Sequence, residues 1–148
     1  MTVFEKSMAV LGELFAQSGE FVLATVRGDL PAQRVVRAFY DGGSFWILTH
    51  AQSNKVQEIE RNNNVSLCRE FHNFNGTAHF MGEDHPAASG WAGKSEPWYF
   101  IPSDDKAREM GYLRVDVSRA FFHKDGVGYK VDFAAGTAEE IPFAPKGR

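Results

Sequence analysis

The sequence predicts a mainly β fold with flanking helices, built on a six-stranded antiparallel barrel, and three observations lead there. Apolar, branched and aromatic runs of strand length recur along the chain, most are joined by tight turns rich in Gly and Asp, and only two segments carry helical spacing. Strands joined by local turns pair antiparallel, and closing their sheet removes its exposed edges. A doubly wound alternative needs alternating helices and a glycine fingerprint after the first strand; the stretch FVLATVRGDL has neither.

Taken in order, Phe4, Met8, Leu11, Leu14 and Phe15 recur at helical spacing, and Ser18-Gly19 supplies a stop. FVLATVR follows as a strand, and Gly28-Asp29 turns it into a second strand, AQRVVRAFY, at 32–40. The turn Asp41-Gly42-Gly43 leads to SFWILTH, which ends at Thr49 and His50. Ser53 is placed as an N-cap, with Val56 and Ile59 spaced for one buried helical face. The polar run Asn62-Asn63-Asn64 ends this helix, and VSLCREF and, past His72 to Asn75, GTAHFMG read as further strands. Residues 82–111 break the pattern with Gly, Pro, Ser and charges around Trp91 and the cluster Trp98-Tyr99-Phe100, and read as an excursion from the barrel. Strands resume in YLRVDVSRAFFH, a turn at Lys124-Asp125-Gly126 and GYKVDF, and residues 134–148 form a peripheral tail.

With 148 residues of which 43% are hydrophobic, residues 1–148 fit one domain whose core needs no disulfide staple. A net charge of -3 argues against a broad nucleic-acid surface, while leaving room for a local basic pocket. Apolar runs fall short of the roughly 20 residues that span a bilayer, and the first residues lack the pattern of a signal peptide, so a cytoplasmic protein without membrane attachment is expected. The single cysteine, Cys68, sits in an apolar stretch and is expected to be a buried small side chain. His72, His79 and His85 lack a recognised ligand spacing, so no metal site is expected, and His50 and His123 are weighed as proton donors.

The chemistry concentrates in one stretch. Arg34 and Arg37 lie in the second strand, and Thr49, Ser53, Asn54 and Lys55 follow where the third strand gives way to a helix. A capped helix start presents unpaired backbone N–H groups that attract anions; Lys55 adds a compact positive charge, and a guanidinium can grip phosphate oxygens through parallel donors. Period-two alternation puts Arg34 with Ala32, Val36 and Ala38 on one face, and Arg37 with Gln33, Val35 and Phe39 on the other, so the two arginines have different jobs. Each needs a partner: a phosphate, a carboxylate such as Glu58 or Glu70, or a strand end reaching water.

This order of residues resembles the pyridoxamine 5'-phosphate oxidase-like family of FMN-binding split barrels. The resemblance is best defined over LPAQRVVRAFYDGGSFWILTHAQSNKVQEIERNNNVSL, with support from GTAHF and YLRVDVSRAFFHKDG. It implies a six-stranded antiparallel split β-barrel that binds FMN, with Arg34 and Lys55 on the phosphate, Ser53 and Asn54 adding polar contacts, and Thr49 near the flavin. It also implies a homodimer with the flavin between protomers, so that Trp98 and Tyr99 of one subunit would cover the ring bound to the other. A flat ring needs a largely apolar slot, which Val35, Val36 and Leu48 would wall, with Arg37 at the ring's polar edge. The chain departs from true pyridoxamine phosphate oxidases in being short and in lacking an arginine-rich C-terminal segment, for which Pro145-Lys146-Gly147-Arg148 is a poor substitute. The expected function is therefore an FMN-dependent oxidoreductase acting on a small molecule, its catalytic residues unassigned. The alternatives are a non-catalytic flavin-binding or stress-associated protein, and a split barrel using a deazaflavin or haem-related ligand.

Overall fold

The computed structural model describes residues 1–50, 53–82 and 110–145. Helix α1 spans Val3–Phe15, followed by strands β1 (Gly19–Arg27), β2 (Leu30–Asp41) and β3 (Ser44–His50). Helix α2 (Asn54–Arg61) precedes β4 (Asn64–Arg69), β5 (His72–Phe80), β6 (Met110–Lys124), β7 (Val127–Asp132) and β8 (Thr137–Pro142). The strands form one antiparallel sheet in the order β3-β2-β1-β4-β5-β6-β7-β8, and β3 also pairs with β6. That extra pairing closes six strands into the expected barrel.

The length of β6 explains how one strand serves two ends of the sheet. Its first half, Met110 to Asp116, lies along β3, whereas Arg119 to Lys124 pairs with β7. The strand thus leaves the barrel partway along, and β7 and β8 extend the sheet beyond the closed part. The change of direction coincides with a register shift opposite Asn75 and Gly76 of β5. Bulges of this kind bend a strand and increase its twist. Gly76 is demanded by the same close approach, because a Cβ there would come within 2.1 Å of the Asp116 carbonyl oxygen.

The local sequence accounts for the elements. Thr2 caps α1 in a reciprocal box with Glu5, the Glu5 N–H donating to Thr2 Oγ1 at 3.1 Å and the Thr2 N–H to Glu5 Oε1 at 3.2 Å. Gly42 and Gly43 both adopt positive φ, as a two-residue hairpin turn between β2 and β3 requires. Inside the barrel, Phe15, Phe21, Phe45 and Phe74 meet in edge-on and tilted pairs, with Phe45 and Phe74 centred 4.7 Å apart, among Leu23, Ile47, Leu67 and Leu113. Helix α1 delivers Phe15 to this cluster, and α2 delivers Val56 and Ile59. A second, smaller cluster of Phe39, Trp46, Leu48 and Tyr112 lies apart from it. Its members alternate along β2, β3 and β6 with core residues, which places them on the barrel's outer face. Among the described residues no helix is long and apolar enough to cross a membrane.

Two expectations are corrected. The β4–β5 connection is a tight turn at Glu70 and Phe71, with Glu70 at a φ of 53°, and β5 starts at His72 rather than Gly76. A glutamate at positive φ gives no glycine-like turn signal, so the hairpin was invisible in the residues. Cys68 is exposed, because Val65 and Leu67 take the inward positions of β4 and alternation turns Cys68 outward beside Val22. Within the tail, residues 137–142 form a strand paired along β7.

His72 and His123 stack at the start of β5 with ring centroids 4.5 Å apart, beneath the edge of Phe15. The His123 backbone N–H donates to His72 Nδ1 at 3.4 Å, which holds that nitrogen as an acceptor. Burial, and then the neighbouring His123, pull the His72 pKa down from 6.5 to about 4. The folded form therefore resists protonation while the unfolded chain accepts it. Stability is full above about pH 6.5 and falls as the pH drops towards 4, by at most about 3 kcal/mol. Denaturant midpoints at pH 7 and pH 4.5 should show that loss, and His72→Phe should reduce it; an unchanged pH slope would contradict the assignment. Gly76→Ala should cost about 1–3 kcal/mol in the same measurement, because the Asp116 backbone must yield.

Candidate functional site

The site forms where the end of β3, the start of α2 and the open end of the barrel meet. The Ser53 N–H donates to the His50 carbonyl at 3.2 Å, tying the helix entry to the end of β3. Ser53 caps α2, its Oγ accepting the Val56 N–H at 3.4 Å, and the hydroxyl hydrogen is left to donate elsewhere. The first-turn N–H groups of Asn54 and Lys55 have no intrahelical acceptor by helix geometry. The entry thus offers several donors within one turn.

Arg34 reaches the same region from β2. It follows the inward parity of Val36 and Ala38, and its guanidinium emerges at the barrel end between β1 and α2. There Nη2 donates to Glu58 Oε1 at 2.9 Å and Nη1 to Thr25 Oγ1 at 2.7 Å. The Thr25 hydroxyl in turn donates to Glu58 Oε1 at 2.6 Å. Glu58 is only 7% exposed, and its carboxyl pKa is lowered first by the Thr25 hydrogen bond and then by Arg34, against the opposing effect of burial. Of the three partners that sequence reasoning left open for Arg34, the structure supplies the Glu58 carboxylate.

Lys55 stands differently. It is half-buried, and its pKa is lowered first by burial and then by the nearby Arg34 charge. Among the described residues it has no carboxylate partner. A partly desolvated ammonium beside a guanidinium is an arrangement that an anion would relieve, since opposite charge favours both cations.

The remaining residues fall in other places. Arg37 lies on the outward face, its Nε donating to Ser18 Oγ at 3.0 Å and Nη2 to the Ser18 carbonyl at 3.2 Å, so the two arginines are on opposite faces as alternation requires. Val35 points outward and is 64% exposed, whereas Val36 is buried inside the barrel, so their side chains cannot wall one slot. Leu48 belongs to the outer apolar cluster and Thr49 is buried with inward parity. Asn54 is exposed beside the cap. Trp98 and Tyr99 lie outside the described residues. Sequence reasoning missed Thr25, whose buried hydroxyl completes the Arg34 network. A polar residue at an inward position of an otherwise apolar strand was the available signal.

The family model for pyridoxamine 5'-phosphate oxidase matches residues 9–124. The chain is similar in structure to general stress protein 26 from Bacillus anthracis str. Sterne, with 21% identity, a TM-score of 0.61 and coverage of 97% of this chain and 100% of that one. A pyridoxamine 5'-phosphate oxidase-related, FMN-binding protein from Nostoc punctiforme PCC 73102 aligns at 13% identity and a TM-score of 0.58 over 98% of both chains. An F420 reductase aligns at 14% identity and a TM-score of 0.57 over 74% of this chain and 94% of that one. At these identities the structural likeness speaks to the fold. No curated protein matches the chain.

The network separates two substitutions that look alike in the sequence. Arg34→Ala should lower stability by about 1–3 kcal/mol, because it strands the Glu58 carboxylate in a buried position. Lys55→Ala should leave stability unchanged or raised, since it removes a desolvated charge. Chemical denaturation in phosphate-free buffer checks both, and equal losses would contradict this difference.

Proposed function

The chain belongs to the pyridoxamine 5'-phosphate oxidase family, and from that premise we propose that it is an FMN-dependent oxidoreductase acting on a small molecule. The observation that carries the reading is Lys55, a half-buried cation beside Arg34 without a carboxylate partner among the described residues. A phosphate dianion fits this place. It would meet the Lys55 ammonium, the part of the Arg34 guanidinium not used by Thr25 and Glu58, the Ser53 hydroxyl and the first-turn N–H groups of α2. When bound, FMN supplies a ring that accepts and returns hydride or single electrons.

The chain's own residues bind and orient. Arg34 and Lys55 anchor the phosphate, and Ser53 and Asn54 add polar contacts. Val35 offers apolar surface on the barrel's outer face, where Leu48 lies buried in the cluster beneath it, and Arg37, on that face too, is assigned to the ring's polar edge. Thr49 acts near the flavin through its backbone, given its inward side chain. Trp98 and Tyr99 are assigned to cover the ring from the second subunit. We further place the protein in the cytoplasm as a homodimer with the flavin between protomers. Support for the dimer comes from Val35 and Leu30 of β2, large apolar side chains that are 64% and 58% exposed. A second reading, a deazaflavin in place of FMN, is favoured by the similarity to an F420 reductase. Both cofactors carry a phosphate and a flat ring, and their spectra differ.

Purified protein should show flavin absorption, or acquire it on titration with FMN, and heat release followed by chromatography should identify the phosphate ester. Lys55→Ala should weaken FMN binding by about 1.5–3 kcal/mol. NAD(P)H should reduce the bound flavin and support turnover of an acceptor. A protein that neither carries nor binds FMN would contradict the cofactor. Unchanged FMN affinity in Lys55→Ala would contradict the site, and a loaded protein inert towards a broad panel of donors and acceptors would contradict catalysis.

A further inference from the structure

The bonds that Arg34 makes all leave from its two terminal nitrogens. Nη1 donates to Thr25 Oγ1 at 2.7 Å and to the Leu23 carbonyl at 3.4 Å, and Nη2 donates to Glu58 Oε1 at 2.9 Å. These atoms form the end-on edge of the planar group. Its side-on edge, made by Nε–H and the second Nη2 hydrogen, has no acceptor among the described residues. A guanidinium presents parallel donors along each edge, so fixing one edge aims the other.

We propose that Glu58 and Thr25 are positioning residues that hold Arg34 by its end-on edge and present its side-on edge as a two-donor clamp for the cofactor phosphate; this rests on the phosphate reading given above. Glu58 is suited to an anchor rather than to a competitor that steps aside. It is 7% exposed, lies in α2 only one turn beyond Lys55, and is pinned by the Thr25 hydroxyl at 2.6 Å. Thr25 is itself buried in β1 and both accepts from Arg34 and donates to Glu58, so its hydroxyl proton is directed by the two charges it lies between. The charge balance still favours an anion. Arg34 and Lys55 contribute two positive charges and Glu58 one negative, which leaves the site positive after the internal pair forms.

A free arginine side chain carries rotamer entropy that would be lost on gripping a ligand, and the two anchors remove that loss in advance. The consequence is confined to ligands that bear the phosphate. Riboflavin, which has the same ring without it, should be indifferent to Glu58 and Thr25.

Dissociation constants for FMN and for riboflavin, read by flavin fluorescence on the full chain, test this in the wild type and in Glu58→Ala, Glu58→Gln and Thr25→Val. Glu58→Ala should weaken FMN about tenfold to a hundredfold, with riboflavin held within about twofold. Glu58→Gln, which keeps an acceptor oxygen, should restore FMN to within about threefold of the wild type, and Thr25→Val should fall between. FMN affinity that is unchanged or improved in Glu58→Ala would show a competitor instead of an anchor and overturn the proposal. Equal losses for both flavins in Glu58→Ala and Thr25→Val would make the network merely structural, which also overturns it. A wild type that fails to prefer FMN over riboflavin would remove the phosphate reading itself, a result separate from the behaviour of the variants.

Discussion

Placing Arg34 beside Lys55 at a barrel end works against folding, and the surrounding structure is arranged to tolerate it. Burial first, and then the Arg34 charge, lowers the tendency of Lys55 to stay charged. Glu58 offsets part of this by neutralising Arg34 from within α2, and the Thr25 hydroxyl holds the carboxylate in place. One ion pair therefore joins β1, β2 and α2. The helix cannot be displaced from the barrel without stranding a buried charge, whose cost exceeds that of a surface pair. What the pair does not satisfy is Lys55.

The barrel supplies the rigidity that such a site needs. Closure through β3 and β6 fixes the end of β3, and the His50 to Ser53 hydrogen bond carries that position into the start of α2. The phenylalanine cluster inside the barrel fixes β2 from the other side, through Val36 and Ala38. Arg34 is thus carried by a strand whose neighbouring inward residues are core. Sites on such elements keep their geometry better than sites on loops. The split in β6 lets β7 and β8 extend the same sheet beyond the barrel, away from this end.

Much of this was legible in the residues because the governing rules are local. Hairpin glycines at 28, 42 and 43, the cap at Ser53, the buried pair Val56 and Ile59, and the opposite faces of Arg34 and Arg37 all follow from period and turn chemistry. The partner of Arg34 was narrowed to a few choices and no further, because Thr25, Arg34 and Glu58 are brought together only by the pairing of β1 with β2 and the docking of α2. Val35 and Val36 were assigned to one wall although strand alternation separates them. The Glu70 turn and the strand at 137–142 escaped notice because neither carries a distinctive residue: a glutamate adopts positive φ in one, and the other is a short polar strand that gains its order from β7.

Where a phosphate binds decides the roles of Lys55, Arg34 and Glu58. A crystal structure of the protein grown with FMN measures that directly. The FMN phosphate should lie within hydrogen-bond distance of Lys55 Nζ, the Arg34 side-on edge and the start of α2, with the Arg34–Glu58 pair intact. A phosphate bound elsewhere, or a Lys55 ammonium turned to solvent with FMN present, would contradict those roles.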